Sequence, residues 1–186
     1  MINLKIKNLT NNFLRKITGY QLARFDALSY TYREKLKTFL DVISPKGKIL
    51  DVGSGTWNYP KTRFSSEQIT TIDLQPGADV IGSVTKLPFP DNTFDYVICF
   101  ETLEHTDNPF KAMSEINRVL KKGGMFIGST PFNQELHGEE YGDYWRFTRQ
   151  GWAILLKDFS EVKIEPYAGR DLMPGWYLAT GRKKSL

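Results

Sequence analysis

The chain has 186 residues and a net charge of +4 at neutral pH, and 40% of its residues are hydrophobic. This length suits one domain with a core of two or three layers. The chain has neither an apolar run of membrane-spanning length nor the apolar centre of a signal peptide, which predicts a soluble cytoplasmic protein. One cysteine and two histidines, His105 and His137, are too few for a cysteine–histidine zinc cluster, so no metal site is predicted.

The N-terminal quarter of the chain is basic, with ten lysines and arginines against three acidic residues in residues 1–48. Apolar residues up to about residue 24 follow no regular spacing, whereas those from Tyr30 to Ile43 form one helical stripe. We therefore predict a single domain, 1–186, made of a helical arm or cap (1–44) and an α/β core (45–186). The basic charge indicates a solvated helical face, with contact to a membrane surface or to nucleic acid as the alternatives.

The first predicted strand of the core is a short apolar run that ends in a Gly-x-Gly turn. It covers Lys48 to Val52 and is followed by Gly53, Ser54 and Gly55. A buried strand that enters a glycine turn is typical of a ligand loop in a parallel α/β sheet, because glycine lets the backbone approach a bound molecule. A dinucleotide-binding loop needs a third glycine where Asn58 stands, and the Gly-Lys-Ser/Thr of a phosphate loop is absent.

The second predicted strand, Ile69 to Asp73, ends in an acidic residue. The segment between Thr56 and Glu67 has room only for a short or distorted helix. Asp73 follows Asp51 by 22 positions, close to where a ribose-binding carboxylate belongs in nucleotide-type α/β folds. We predict ribose binding for Asp73, with capping of its own loop as the alternative.

Strands and helices alternate in the rest of the chain. Asn108 and Pro109 predict the start of a helix that ends at Gly123 and buries Phe110 among other apolar residues, and Thr148 caps a second helix reaching about Phe159. A long aromatic loop, Pro131–Phe147, lies between two of the later elements. The remaining strand candidates are residues 78–84, 96–100, 125–129, 162–167 and 176–181. This order predicts one α/β domain.

Several separate segments together resemble the class I S-adenosylmethionine-dependent methyltransferases of the small type 11 group. They are Ile49–Gly55, the Leu-Pro-Phe-x-Asp-x-x-Phe-Asp-like run Leu87–Asp95, Leu103–His105 and the helix-and-glycine segment Glu115–Gly124. The resemblance spans about residues 35 to 183. It implies a Rossmann-like class I methyltransferase fold, a three-layer α/β/α arrangement whose seven-stranded sheet is mostly parallel with an antiparallel last strand.

The resemblance also implies S-adenosylmethionine as the cofactor and assigns a residue to each of its parts. Asp51 would hold the amino group, Asp73 would accept hydrogen bonds from the ribose hydroxyls, and Leu74 would pack on the adenine. Gly53, Ser54 and Gly55 would lie beside the methionine part. Ser83 and Val84 would lie at the edge of the adenine, and Phe100 and Glu101 would lie near the sulfonium.

Two positions depart from the family pattern. Trp57 stands where a third glycine is usual, and Ser83 aligns with the adenine-binding aspartate. A hydroxyl makes a weaker hydrogen bond to the adenine amino group than a carboxylate does. A non-catalytic S-adenosylmethionine-binding or scaffold protein with a degenerate site is therefore the main alternative.

The residues around the methyl acceptor are harder to predict, because methyl transfer needs alignment first and a general base only when the acceptor loses a proton. His137, Tyr144 and Arg146 lie in the long loop where substrate contacts are expected in this fold. His105, near the helix cap, is either a base or a structural residue. Asp143 and Arg146 either contact substrate or pair to fix the loop.

We therefore hypothesise a methyltransferase that acts on a small molecule or a cell-envelope precursor, as a monomer or a homodimer. A nicotinamide oxidoreductase of the same fold class is a rival, disfavoured by Asn58 and the short first crossover. Nucleic acid as the acceptor is a third alternative, which depends on the basic arm alone.

Overall fold

The computed structural model describes residues 32–41, 46–55, 59–138, 141–170 and 173–185. The predictions for the arm up to residue 31, for the end of its helix at 42–45 and for Trp57 lie outside these residues. The chain divides into two compact units, Met1–Val42 and Ile43–Leu186. In the first unit, residues 32–41 form helix α1, and its buried side chains, Leu36 and Leu40, recur at the predicted helical spacing.

The second unit is built on one seven-stranded sheet. Its strands are β1 (Ile49–Val52), β2 (Ile69–Asp73), β3 (Val80–Ile81), β4 (Phe94–Phe100), β5 (Leu120–Pro131), β6 (Phe159–Arg170) and β7 (Met173–Lys183). Their order is β3-β2-β1-β4-β5-β7-β6, and only the pairs that involve β7 are antiparallel. The predicted mostly parallel sheet with an antiparallel last strand is confirmed.

Three helices and a turn connect these strands: α2 (Tyr59–Arg63), a 3-10 turn (Leu103–His105), α3 (Pro109–Val119) and α4 (Arg149–Leu155). Helix α2 has only five residues, as the short first crossover predicted. In the part of the chain that the structure describes, no helix is both long and apolar enough to cross a membrane.

The strand order fixes where ligands meet the sheet. β1 pairs with β2 on one side and with β4 on the other, all parallel, so their carboxyl ends open at the same edge. The order reverses between β1 and β4, and such a switch point is where open α/β sheets bind ligands. The loop after β1, the end of β2 and the end of β4 therefore converge.

The core is apolar around the middle strands. All four residues of β1 are buried, and Val97 and Cys99 of β4 have no exposed surface. Trp152 of α4 is also fully buried, and its indole N–H donates to the hydroxyl of Thr130 over 3.1 Å. Burial with the polar atom satisfied lets a large side chain contribute its apolar area without a desolvation cost.

Helix α3 differs from its prediction at both ends. Phe110 is 55% exposed rather than buried. It lies about 120° around the helix from Ile116, the centre of the buried stripe, given 100° per residue. The helix ends at Val119 rather than at Gly123, and Lys121 belongs to β5, where its ammonium contacts Asp95 at 2.8 Å. This ion pair holds the chain at the strand rather than in another helical turn.

The third strand is shorter than predicted, two residues in place of 78–84. Its neighbours form side-chain hydrogen bonds that replace the strand ladder. The carboxylate of Asp79 accepts from the backbone N–H and the hydroxyl of Thr71, at 2.9 and 2.8 Å. Helix α4, predicted to reach about Phe159, ends at Leu155. Phe159 is instead the first residue of β6.

Candidate functional site

The loop after β1 has the backbone that only glycine adopts readily. Gly53 and Gly55 have φ of +69° and +48°, in the left-handed region. A Cβ at Gly53 would lie 2.8 Å from Cβ of Thr102 and closer still to its hydroxyl. Ser54, between the two glycines, is half-buried. Glycine is therefore required at position 53 because the Thr102 side chain occupies the space of a Cβ, whereas a Cβ at Gly55 would have only the Gly53 carbonyl oxygen within 4 Å.

Asp73 fixes this loop from the end of β2. Its Oδ2 accepts from the backbone N–H of Gly55 and its Oδ1 from that of Gln75, each over 2.8 Å. A carboxylate has about four acceptor sites, so these two bonds leave capacity for a ligand's hydroxyl groups. Leu74, next to it, is 65% exposed and offers an uncovered apolar surface. Asp73 thus caps its own loop, the structural alternative considered for it, and keeps unused acceptor sites.

Asp51 is the buried charge of the site. It is the third of the four residues of β1, only 4% of it is exposed, and its Oδ2 has no hydrogen-bond partner among the residues described. Burial, and then the negative charge of Asp73, raise the pKa of Asp51 to about 7. A cation placed here would stabilise the ionised carboxylate, so the position suits an ammonium group.

The two residues aligned with the adenine edge lie in the turn after β3. The Ser83 hydroxyl is 2.8 Å from that of Thr85 and also accepts from the Thr85 backbone N–H over 3.2 Å. Val84 is buried. The Ser83 side chain therefore stabilises its own turn.

Glu101, the residue after β4, has a backbone conformation that is uncommon for a residue other than glycine. Glu101 has φ +49°, and its carboxylate accepts from the hydroxyl of Ser129 over 3.1 Å and from the indole N–H of Trp176 over 2.9 Å. Non-glycine residues with positive φ concentrate at functional sites. Phe100, before it, is buried. The sequence reasoning missed Trp176 and Thr102, although polar-tipped residues at the ends of successive strands were the signal.

His105, the histidine near the helix cap, is hydrogen-bonded to the long loop. Nδ1 of His105 lies 2.6 Å from the carbonyl oxygen of Gly142, so Nδ1 carries the proton and Nε2 the lone pair. Burial is the main cause that lowers the pKa of His105 below its usual value. The rings of His105 and His137 meet edge to face, with centroids 4.9 Å apart.

The loop itself is held by a partly buried ion pair. Asp143 binds both terminal nitrogens of the Arg146 guanidinium and accepts from the backbone N–H of His137 over 2.9 Å. The guanidinium is the main cause that holds the pKa of Asp143 well below its usual range. The Tyr144 ring is 57% exposed while its backbone N–H donates to the Glu104 carbonyl over 2.7 Å. The structure thus brings His105, His137 and Arg146 together and leaves the Tyr144 ring outside.

These features fit S-adenosylmethionine, the cofactor implied by the resemblance. Asp51 offers a buried Oδ2 without a described partner for its amino group, the backbone at Gly55 is open on the side of its missing Cβ, and Asp73 has acceptor sites for its ribose hydroxyls. These three features come from β1, from the loop after it and from the end of β2.

Comparison with known sequences agrees with this geometry. Residues 50–128 match the family described as a methyltransferase domain. Over 150 residues the chain is 33% identical to a demethylmenaquinone methyltransferase of Symbiobacterium thermophilum, an alignment that covers 70% of this chain and 53% of that protein. The chain spans about half the length of the curated relatives it matches first.

Solved structures share the fold. A SAM-dependent methyltransferase from Archaeoglobus fulgidus superposes with a TM-score of 0.65 at 14% identity, covering 83% of this chain and 94% of that one. The [4+2]-cyclase SpnF superposes with a TM-score of 0.59 at 20% identity, covering 77% and 76%. Proteins with this fold thus include methyltransferases and enzymes of other chemistry. The function of this chain therefore has to be argued from the residues of its site.

Proposed function

We propose that this chain, which has the class I methyltransferase fold and whose residues 50–128 are a type 11 methyltransferase domain, transfers a methyl group from S-adenosylmethionine to a small-molecule or cell-envelope-precursor acceptor. The observation that carries the proposal is the joint geometry at the sheet edge. Gly55 donates to Asp73, and the unpaired carboxylate of Asp51 lies at the end of the neighbouring strand.

The bound cofactor supplies a methyl group already activated by the positive charge on sulfur, so the protein has mainly to position the reactants. Asp51 would bind the amino group, and the backbone of residues 53–55 would lie along the methionine part. Asp73 would accept from the ribose hydroxyls, with Leu74 against the adenine and the Ser83–Val84 turn at its edge. Phe100 and Glu101 would form the floor, held in place by the bond from Trp176.

The acceptor side is proposed to be the turn Leu103–His105 and the loop that contacts it. His105 presents a lone pair on Nε2, because Gly142 fixes the proton on Nδ1. Such an imidazole can accept a proton from an acceptor hydroxyl. His137 and the exposed Tyr144 ring would contact the acceptor, whereas Arg146 positions the loop through Asp143.

The direct test is transfer of labelled methyl groups to pools of small metabolites and envelope precursors by the purified protein. Label in an acceptor, abolished in Asp73→Ala, would support the proposal. Cofactor binding without transfer to any pool would favour the second candidate, a non-catalytic cofactor-binding or scaffold protein. The commitment of the Ser83 hydroxyl to Thr85 favours that candidate, because it leaves the adenine edge with a weaker partner.

A further inference from the structure

A glutamate and two histidines meet beside the acceptor-side loop. One ligand atom from each of Glu104, His105 and His137 can be chosen so that all three lie within 4.8 Å of one another. Glu104 and His105 come from the 3-10 turn after β4, and His137 comes from the loop after β5. Residues far apart in the chain thus present three metal-ligating groups to one point.

Glu104 is the unusual member of this cluster. It has no exposed surface, and neither carboxylate oxygen has a hydrogen-bond partner among the residues that the structure describes. An ionised carboxylate that is buried without a partner is strongly destabilised. The nearby guanidinium of Arg146 is already bound by Asp143. Glu104 therefore has a full negative charge to satisfy, or a proton to share, and no described group within hydrogen-bond distance.

In each of the two histidines, Nδ1 lies next to a backbone carbonyl oxygen. Gly142 O contacts Nδ1 of His105 at 2.6 Å and Glu135 O contacts Nδ1 of His137 at 3.1 Å. Carbonyl oxygens only accept, so each Nδ1 carries its proton and each Nε2 is a lone-pair atom. A hydrogen bond from the second ring nitrogen to a carbonyl is the usual support of a metal-binding histidine.

The contact between Glu104 and His105 needs a third partner. Oε1 of Glu104 lies 3.7 Å from Nε2 of His105, too far for a hydrogen bond even if the carboxyl is protonated. Both atoms are electron-pair donors when Glu104 is ionised. A cation between them would contact the electron pairs of both atoms.

We propose that Glu104, His105 and His137 bind a divalent transition-metal ion, with Zn²⁺ as the ion to test first because two imidazoles and one carboxylate form the ligand set of several catalytic zinc sites. Three protein ligands leave a fourth tetrahedral position for water or for an oxygen of the acceptor. Ligands about 2.0–2.1 Å from zinc lie about 3.3 Å apart, so the cluster closes by about 1.5 Å at its widest separation. The zinc-cluster prediction from the sequence counted only cysteines and histidines, so a site whose third donor is a carboxylate lay outside that count.

The role of the ion in methyl transfer rests on the proposed function, whereas its binding does not. An acceptor hydroxyl bound to the ion would release its proton to solvent water more readily, because the metal charge lowers the pKa of a coordinated hydroxyl or water. His105 then acts as a ligand and not as the proton acceptor. The acceptor class would be one with an oxygen donor, such as a hydroxyl or a phenol.

Calorimetric titration of the chelator-treated full-length protein with Zn²⁺ alone tests the site without any methyl donor. We expect one ion per chain with a dissociation constant in the micromolar range or tighter. Glu104→Gln and His137→Asn should each weaken binding at least tenfold, on the order of the loss that even supporting residues of metal sites cause. Glu165→Gln, the same change at an exposed strand position, should bind as the wild type does.

Absence of saturable Zn²⁺ binding in the wild type, or equal affinity in all four proteins, would overturn the proposal. His137→Asn keeps the test valid if Glu104→Gln does not fold, since His137 lies in an exposed loop. Thermal unfolding gives a second readout, because a ligand that binds only the folded state raises the melting temperature. The rise in melting temperature with Zn²⁺ should be present in the wild type and in Glu165→Gln. It should be small in Glu104→Gln and in His137→Asn. S-adenosylmethionine binding, measured separately, reports on the proposed function.

Discussion

The backbone N–H of Gly55 donates a 2.8 Å hydrogen bond to Oδ2 of Asp73, which joins the turn after β1 to the end of β2. The other oxygen, Oδ1, accepts from the backbone N–H of Gln75 at the same distance. One carboxylate thus fixes the shape of the glycine loop and faces the place proposed for the ribose. Local structure and cofactor binding depend on the same side chain.

We predict that Asp73→Ala weakens S-adenosylmethionine binding about 100-fold. Two hydrogen bonds from the ribose to a charged group contribute about 1.5 kcal/mol each. Calorimetric titration measures the change, and Asp158→Ala, an exposed aspartate in the turn after α4, is the control. An affinity within threefold of the wild type would remove the ribose role assigned to Asp73.

Cofactor affinity should rise with pH through the ionisation of Asp51. Its pKa of about 7 in the free protein leaves roughly a tenth of the carboxyl ionised at pH 6 and nine-tenths at pH 8. Because an ammonium group binds the ionised form, affinity should increase up to about tenfold between these values. Titrations at pH 6, 7 and 8 measure this, and the rise should be absent in Asp51→Asn. A flat profile in the wild type would count against the ammonium contact.

The same group affects the stability of the free protein in the opposite sense. Since the pKa of Asp51 is raised from 3.8 to about 7, the folded state binds more protons than the unfolded state between these values. The contribution of Asp51 to the free energy of unfolding therefore falls as pH rises from 4 to 7. The difference in free energy of unfolding between Asp51→Asn and the wild type should therefore shift in favour of the variant when the pH is raised from 4 to 8. Urea unfolding at the two pH values measures this shift.

Two glycine variants separate backbone strain from contact with Thr102. Gly53 and Gly123 have similar φ, +69° and +74°, but a Cβ would meet Thr102 at the first and nothing within 4 Å at the second. Alanine in a left-handed conformation costs on the order of 1 kcal/mol at either position. Gly53→Ala should lose at least about 1 kcal/mol more, from overpacking against Thr102. Equal losses in urea unfolding would mean that Thr102 moves aside at no cost.

Arg118 stabilises the turn before β4 through several contacts. Its guanidinium donates to Glu115 over 2.8 Å, to Asp91 over 2.8 Å and to the carbonyl oxygens of Leu87 and Phe89. We expect Arg118→Lys to lower the free energy of unfolding by about 2 kcal/mol, because one ammonium cannot reproduce this planar set of bonds. Arg149→Lys, at an exposed helix start, is the control. A loss no larger than that of the control would contradict the role of the network.

Acid should weaken the same network. The hydrogen bond from Arg118, more than any other cause, lowers the pKa of Glu115 below its ordinary value of 4.5. The contribution of Glu115 to stability is therefore complete above pH 4.5 and is lost as pH falls through its lower folded-state pKa. Urea unfolding between pH 6 and pH 3 should show a smaller acid loss in Arg118→Lys than in the wild type, and identical losses would argue against this coupling.

The positions of the residues proposed for the cofactor are easier to predict from the sequence than the positions of those proposed for the acceptor, for a physical reason. Asp51 lies one residue before the end of β1, and Asp73 ends the adjacent, parallel strand β2, so strand patterns alone place both carboxylates near one edge of the sheet. The bond between Glu101 and Trp176 joins residues 75 positions apart, through a strand inserted antiparallel between two others. No periodicity in either segment indicates that contact.

The loop after β5 shows the same limit more sharply. The sequence could name His105, His137 and Arg146, but their positions depend on the Gly142 carbonyl and the Asp143 carboxylate. These are tertiary hydrogen bonds within an irregular segment, where neither helical nor strand spacing applies. The early end of α3 was missed for a related reason, since the Lys121–Asp95 ion pair overrides the helix-ending signal of Gly123.

The central claim is that the sheet edge binds S-adenosylmethionine, and parallel calorimetric titrations with S-adenosylmethionine, S-adenosylhomocysteine and NADH test it most directly. We predict micromolar binding of the first two and no heat change with NADH, because Asp51 and Asp73 suit an amino group and a ribose, and Asn58 stands where a dinucleotide loop needs glycine. Binding of NADH in preference to both, or binding of none of the three, would contradict the account.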